Sequence, residues 1–157
     1  MTTTRDVKDF LTLHRIAMVG VSRNPKDFSR HLFREMCDRG YDMVPVNRWA
    51  KEIEGRECLQ SLRKAPTPVD GVLVMTPASE TLEVVEDCAD AGIQDVWLYR
   101  AGGKGAVSPE AIAFCEAKGI RVIEGHCPFM FLRGTAFPHR AHGFFLKLTR
   151  RYPKSAA

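Results

Sequence analysis

The strongest constraint on the fold is an apolar segment that ends at one glycine and leads into a helix and then a second apolar segment. Residues 16–19 are apolar, Gly20 follows them, and a helical pattern over 28–39 precedes the second segment at 41–46. In such a β-α-β unit the glycine lets the backbone approach a ligand, and the helix N-terminus offers unpaired N–H groups to a phosphate. The pattern predicts an α/β protein whose folded part begins at Ile16 and which binds a phosphorylated ligand.

The end of the second strand disfavours a nicotinamide dinucleotide. NAD sites usually read Gly-x-Gly-x-x-Gly after the first strand, with an acid at the end of the second strand to hold the ribose hydroxyls. Here the first loop contains only Gly20, and the second strand ends in Pro45, Val46 and Asn47. A plainer interpretation of the same residues is that Gly20 ends a strand and Asn47 starts a turn.

A helical run, a glycine and an apolar residue recur in this order at Gly40, Gly92 and Gly119. Each glycine fits the left-handed cap that ends a helix before a parallel strand. Apolar runs at 71–75 and 96–99 are typical of strands that are buried on both faces. The alternation predicts a doubly wound α/β fold, a five-stranded parallel sheet with helices on both faces. Its strands lie near 15–20, 41–46, 71–75, 95–99 and 120–124, and its helices near 28–39, 79–91 and 111–118.

The second predicted helix, at 79–91, is amphipathic. Its spacing places Leu82, Val85 and Ala89 on the inner face, and it places Glu80, Glu83, Glu86 and Asp87 outside, towards solvent.

Composition indicates one cytoplasmic domain. No apolar run approaches the roughly 20 residues that span a bilayer, and no apolar run follows the charges of the N-terminus, so a secretory signal is not expected. The five cysteines are odd in number and never form Cys-x-x-Cys. Cys37, Cys88 and Cys115 fall in helical segments beside apolar residues, which is typical of reduced, buried thiols rather than of a disulfide framework.

Positive charge is concentrated in the C-terminal segment. The net charge is +4, and beyond residue 124 the chain has six Lys or Arg and no Asp or Glu. We assign residues 1–130 to a ligand-binding domain and 131–157 to a basic helical extension. Phe144, Phe145 and Leu148 would give that helix an apolar stripe, which we expect to dock on the domain or to form a homodimer. Nucleic-acid or membrane contact is disfavoured, because no groove-reading motif is present and few aromatic residues lie among the basic ones.

Three motifs follow one another along the predicted strand ends. Gly-x-Ser occurs at Gly20 and Ser22, Pro-Val-Asn at 45–47, and Cys-Pro at Cys127 and Pro128. In this order, from about residue 12 to 130, the chain resembles the small stand-alone CoA-binding proteins, which are Rossmann-like domains similar to the N-terminal domain of the succinyl-CoA synthetase α subunit. Further matching positions are Val19, Val21, Asn24, Pro25, Ser29, Gly40, Tyr41, Ile53, Glu54, Gly55, Arg56, Leu62, Val69, Asp70, Thr76, Pro77, Gly92 and Trp97.

The resemblance implies that coenzyme A or an acyl-CoA is the cofactor, bound across the strand ends. Its diphosphate would lie near Gly20 and Ser22, and its adenosine end against the 45–47 turn and the loop of Thr76 and Pro77. An arginine beside Asn47, in place of an acid, suits the 3′-phosphate of CoA. The residues predicted to bind the cofactor are Gly20, Val21, Ser22, Arg23, Asn24, Ser29, Arg30, Pro45, Val46, Asn47, Arg48, Thr76, Pro77, Tyr99 and Arg100.

Two loops depart from the family pattern. Many members have Phe-Arg where this chain has Thr76 and Pro77, and they commonly have Gln where this chain has Tyr99. Arg100 and a glycine-rich loop follow Tyr99. A different nucleotide therefore remains an alternative ligand. Substitution of Gly20 by valine is expected to abolish binding with little unfolding, because the side chain would block the approach of the diphosphate.

The sequence assigns no catalytic residue and no metal ligand. His126 and Cys127 are the best nucleophile–base pair, since a thiol next to an imidazole can ionise, but no third residue is seen to orient the imidazole. His139 and His142 would complete a zinc site with them only at irregular spacing. The predicted function is CoA binding as a carrier, sensor or accessory subunit. The alternatives are an NAD(P)- or acyl-CoA-dependent enzyme that uses His126 and Cys127, and a nucleotide-responsive, redox or nucleic-acid-binding regulatory module.

Overall fold

A five-stranded sheet lies between two pairs of helices in the computed structural model, which describes residues 2–103 and 105–132. The strands are β1 (Arg15–Val19), β2 (Asp42–Val46), β3 (Glu52–Ile53), β4 (Arg56–Glu57), β5 (Gly71–Val74), β6 (Asp95–Leu98) and β7 (Arg121–Glu124). The helices are α1 (Thr4–Phe10), α2 (Phe28–Asp38), α3 (Ala78–Asp90) and α4 (Pro109–Lys118), with 3₁₀ turns at Leu62–Lys64 and Pro128–Met130.

The main sheet has the order β2-β1-β5-β6-β7, and every neighbouring pair in it is parallel. This confirms the predicted five-stranded parallel sheet. The short strands β3 and β4 form a separate antiparallel pair that the apolar pattern did not predict.

Both faces of the sheet are covered, as predicted. On one face Val72 and Val96 pack in a core with residues of α3 and α4, and on the other Leu73 and Trp97 pack with residues of α1 and α2. All four of these side chains are fully buried. Continuous apolar runs in β5 and β6 therefore reflect burial on both sides of the sheet.

The prediction that the folded part begins at Ile16 is wrong. Helix α1 precedes β1, and a capping box starts it: the Thr3 side chain accepts from the Asp6 N–H, and the Asp6 carboxylate accepts from the Thr3 N–H. Phe10 of α1 is buried and packs edge-to-face on Trp97 with ring centroids 5.4 Å apart. The Thr-x-x-Asp spacing was a weak signal for this helix.

Burial of the cysteines largely follows the prediction. Cys88 and Cys115 are buried within α3 and α4, whereas Cys37 in α2 is only partly buried. No helix among the described residues is long and apolar enough to cross a membrane. The predicted helical extension lies outside the described residues except for its first two positions, 131 and 132.

Strand order reverses at one point in the sheet. From β1 the chain passes to β2 on one side, and it then crosses to β5 on the other side of β1. Loops leave the carboxyl ends of β1 and β5 in opposite directions, which opens a crevice at this edge of a doubly wound sheet. The topology therefore indicates this edge of the sheet as the place for a ligand site.

Candidate functional site

Two adjoining cavities form a crevice along the carboxyl edge of the sheet. The first, of about 180 Å³, is lined by residues that follow three strands, among them Gly20, Asn47 and Thr76. The second, of about 660 Å³, is lined by Thr76, Tyr99 and Arg100 among others. Because Thr76 lines both, we treat the cavities as one site and call it the carboxyl-edge crevice. It contains the switch point between β1 and β5.

The backbones of the loops after β1 and β5 approach each other closely at Gly20. This residue has φ +86°, and a Cβ built on it would lie 2.8 Å from the Thr76 amide nitrogen. Glycine is therefore needed both for the left-handed backbone and for the space. The geometry argues against the expectation that Gly20→Val causes little unfolding, because the new side chain would meet backbone rather than an empty approach path.

Thr76 places an unpaired hydroxyl at the same point. Its residue is 9% exposed, and the Oγ1 atom is buried with no hydrogen-bond partner within the described part of the chain. Its Cγ2 methyl faces Gly20. A buried hydroxyl without a partner costs about 1–3 kcal/mol, so its presence calls for a physical reason. A ligand in the crevice would supply one.

Hydrogen bonds within the loop between β1 and α2 hold it in place. The Ser22 N–H donates to Ser29 Oγ at 2.9 Å, and the Ser22 hydroxyl donates to Asp27 Oδ2 at 2.6 Å. The Asn24 side chain donates to Asp27 Oδ1 at 3.0 Å. The Ser22 and Asn24 side chains thus bind Asp27, the residue that precedes α2.

Asp27 was missed by the sequence reasoning, although an Asp before a helix is a common N-terminal signal. Its carboxylate places negative charge near the predicted diphosphate position. It also accepts hydrogen bonds from the side chains of Ser22 and Asn24, which were predicted to bind the cofactor. A diphosphate at Gly20 and Ser22 would either displace these contacts or lie further along the crevice.

The four predicted site arginines fall into two groups. Arg30 binds Glu54 at 2.5 Å, and Arg48 binds Glu83 at 2.6 Å. For Arg23 and Arg100, residues 2–103 and 105–132 supply no carboxylate partner within 4.0 Å. Arg30 also donates to the carbonyl oxygens of Ser22 and Arg23, so it supports the loop after β1. Arg23 and Arg100 are the cations of this set that are available to an anion.

Glu54 is the carboxylate that forms the ion pair with Arg30. It lies between β3 and β4 and accepts from Arg30 and, at 2.9 Å, from Arg34. Partial burial opposes ionisation of Glu54, but the hydrogen bonds and charges of the two arginines outweigh it and lower the pKa of the carboxyl. The small β3–β4 unit is thereby tied to α2.

Asn47 connects the turn after β2 to the loop after β1. Its Nδ2 donates to the Val21 carbonyl at 2.9 Å, and its Oδ1 accepts from the Trp49 N–H at 2.8 Å. Trp49 lines the first cavity and is 77% exposed. Sequence reasoning missed Trp49, although a large aromatic in a polar turn two residues after a predicted site residue was a usable signal.

Helix α3 brings three carboxylates to the first cavity. Glu80, Glu83 and Asp87 line it, although the amphipathic pattern placed them simply towards solvent. The pattern was right about exposure for Glu80 and Glu83, but solvent on that side of α3 is the crevice itself. An acid therefore does approach the nucleotide position, from α3 rather than from β2.

The remaining predicted residues lie at the same edge. Val21 is buried beside Gly20, Pro45 and Val46 end β2, Pro77 precedes α3, and Tyr99 follows β6. The Tyr99 ring stacks on Phe28 with centroids 5.6 Å apart, so the end of β6 packs against the start of α2. Burial, and next the charge of Cys127, raise the pKa of the Tyr99 hydroxyl to about 12.

Cys127 is poorly placed to act as a nucleophile. Its side chain is 1% exposed, and burial raises the pKa of the thiol to about 11. The thiolate is the reactive form, so at neutral pH this sulfur stays protonated. No group of three metal-binding side chains occurs among the described residues; of the conceivable zinc ligands, His139 and His142 lie outside them.

Two relatives of known sequence are similar to most of this chain. The protein called uncharacterized protein YneT of Bacillus subtilis is 31% identical over 113 residues, which is 72% of this chain and 81% of that protein. The α subunit of acetate–CoA ligase (ADP-forming) II of Pyrococcus furiosus is 25% identical over 126 residues. That match covers 75% of this chain but 27% of the ligase subunit.

Solved structures share the architecture. A hypothetical protein from Pyrococcus horikoshii OT3 superimposes with a TM-score of 0.74 at 26% identity, covering 80% of this chain and 87% of that one. A second, from Pyrococcus furiosus, has a TM-score of 0.66 at 31% identity and covers 73% and 95%. The profile of the CoA binding domain family matches residues 14–133, which include all of β1 to β7 and the whole crevice. The chain therefore belongs to the CoA binding domain family, and the family implies a CoA ligand.

Proposed function

We propose that CoA or an acyl-CoA binds in the carboxyl-edge crevice, and that the protein acts as a carrier, a sensor or an accessory subunit without catalysis of its own. The family supplies the class of ligand. The crevice lies where doubly wound sheets bind ligands, and it runs from the turn after β2 to the loop after β6. An elongated nucleotide ligand fits such an arrangement.

The unpaired Thr76 hydroxyl is the observation that most supports the proposed position of the site. It is buried beside Gly20, where the backbones of the loops after β1 and β5 come together because Gly20 has no side chain. A ligand oxygen or amide at this point would satisfy the hydroxyl and pass close to the glycine backbone. We therefore place the middle of the ligand at Gly20 and Thr76.

The phosphates of the ligand would be bound by the available cations. Arg23 and Arg100 have no carboxylate partner in the part of the chain that the structure describes, and an arginine offers a planar fork of donors to a phosphate. Arg48 lies beside the proposed nucleotide end but is paired with Glu83, so a 3′-phosphate would compete with that carboxylate. The other predicted site residues, from Val21 and Asn24 to Pro77, would shape the loops around the ligand.

Absence of catalysis is the second part of the proposal. It is supported by the burial of Cys127 and the raised pKa of its thiol, which disfavour an enzyme that uses His126 and Cys127. The matched ligase subunits are several times longer than this chain, which would fit a domain that lends its CoA site to a partner. A homodimer through residues 131–157 is likewise a proposal.

Native mass spectrometry of the protein purified from its host tests the proposal. The intact protein should retain a mass that equals CoA or an acyl-CoA, and the excess over CoA identifies the acyl group. A retained NAD or NADP would contradict the proposal and favour the dinucleotide-dependent alternative. When an acyl-CoA is then incubated with the unaltered protein and, separately, with Cys127→Ser, it should stay equally intact in both samples.

A further inference from the structure

Trp49 is an exposed aromatic side chain at one end of the crevice. It is 77% exposed, whereas Trp97 is fully buried and its indole N–H donates to the Gly125 carbonyl at 2.9 Å. Among the described residues, Trp49 is the large apolar side chain left in water. Tryptophan carries an extensive apolar surface, so leaving it in solvent forfeits a favourable contact unless something covers it.

The backbone that carries Trp49 is fixed on both sides. Its N–H donates to Asn47 Oδ1, and the Asn47 N–H in turn donates to the Leu59 carbonyl at 2.9 Å. On the other side, Ala50 is buried and Lys51 accepts from the Cys58 N–H at 2.9 Å. The turn that carries the indole is therefore fixed by hydrogen bonds on both sides, so little backbone ordering is needed when a ligand covers the indole.

The surroundings of Trp49 suit one end of a nucleotide. The indole shares the first cavity with Gly20 and Thr76, where the proposed ligand passes, and with the Arg48–Glu83 ion pair. An aromatic surface flanked by a cation and an anion suits a flat heterocycle that carries hydrogen-bonding groups on its edge. Aromatic side chains bind bases by stacking because every base presents a π-face.

We propose that the adenine base of the ligand stacks on Trp49, so that this residue is a positioning residue for the nucleotide end. The inference rests on the proposed CoA site, and it names the residue that would hold the adenine at the turn after β2, with pantetheine extending towards Tyr99. A pantetheine phosphate without a base would bind without any contribution from Trp49.

Calorimetric titration of the unaltered protein, Trp49→Ala and Trp49→Phe separates this inference from the proposed function. Loss of one stacked base should weaken CoA binding about 5- to 150-fold in Trp49→Ala, and Trp49→Phe should recover part of the loss. Titration with 4′-phosphopantetheine, which lacks the base, should give the same affinity for all three proteins. Since Trp49 is exposed, thermal melts of the variants should match those of the unaltered protein.

Tryptophan fluorescence gives a second readout. CoA and ADP should both quench the Trp49 emission, 4′-phosphopantetheine should not, and the change should vanish in Trp49→Phe. Equal CoA affinity in the unaltered protein and Trp49→Ala would overturn the stacking inference and leave the CoA site standing. Failure of the unaltered protein to bind CoA would overturn both.

Discussion

Gly20 and Thr76 meet so closely across the switch point that a Cβ on Gly20 would lie 2.8 Å from both the amide nitrogen and the Cγ2 methyl of Thr76. Their strands, β1 and β5, are adjacent and parallel, and the two residues follow the strand ends. This contact brings the loops after β1 and β5 together within the crevice. It also places the buried, unpaired Thr76 hydroxyl where a ligand would pass.

Substitution of Gly20 should cost stability as well as binding. Gly40 is a matched control, because its φ of +91° is similar to the +86° of Gly20 but a Cβ on it would meet nothing within 4 Å. Gly40→Ala should lower the free energy of unfolding by about 1–2 kcal/mol through backbone strain alone. Urea titrations should show a larger loss for Gly20→Ala. Equal losses in the two variants would mean that the loop with Thr76 moves aside freely.

Thr76→Val should separate stability from binding. Valine keeps a similar shape and removes an unsatisfied hydroxyl, so the free energy of unfolding should stay the same or rise. CoA affinity should fall about two- to tenfold, as expected for one lost hydrogen bond. Thr81→Val is the control: its hydroxyl donates to the Ala106 carbonyl at 2.7 Å, so its loss should destabilise the fold. Unchanged CoA affinity in Thr76→Val would remove the hydroxyl from the site.

Glu83→Gln should strengthen the binding of CoA. It releases Arg48 from a solvent-exposed ion pair, which water already weakens, so CoA affinity should rise only modestly. Dephospho-CoA, which has no 3′-phosphate, should gain less. Glu86→Gln changes the same charge on α3 at a position that does not line the crevice, and it should alter neither affinity. An equal gain for both ligands would mean that Arg48 does not contact the 3′-phosphate.

Cys127 should resist alkylation below strongly alkaline pH. Burial raises the pKa of its thiol to about 11, so the thiolate is scarce at pH 8 and becomes abundant only as the pH approaches that value. Brief iodoacetamide treatment at pH 8, followed by peptide mass spectrometry, should label Cys37 before Cys127, because Cys37 is only partly buried. Cys127→Ser should keep CoA affinity within a few fold. Rapid labelling of Cys127, with loss of an acyl-CoA hydrolase or transferase activity, would point to an enzyme.

The fold was predictable because its signals are local. Apolar runs such as 71–75 and 96–99, each next to a helix or a glycine, are enough to predict parallel strands, and the alternation then predicts the sheet. Helix α1 was missed because its segment is short and mostly polar, and only Thr3 and Asp6 mark its start. The β3–β4 pair was missed because two-residue strands have no periodicity.

The site was predictable only in outline. Strand ends indicate which loops converge, but side-chain pairing between distant segments decides which groups are available. Arg48 and Glu83 come from different elements, and nothing in the local sequence of either predicts their ion pair. The missing partner of Thr76 likewise depends on how β1 and β5 pack together. Chemistry of this kind appears only once the chain is folded.

Calorimetric titration of the unaltered protein with CoA and with NADH tests the central claim most directly. The account predicts saturable CoA binding with one site per chain and a lower affinity for NADH, because no acid ends β2 and because the family implies CoA. Tighter binding of NADH than of CoA, or no heat of binding with CoA, would contradict it.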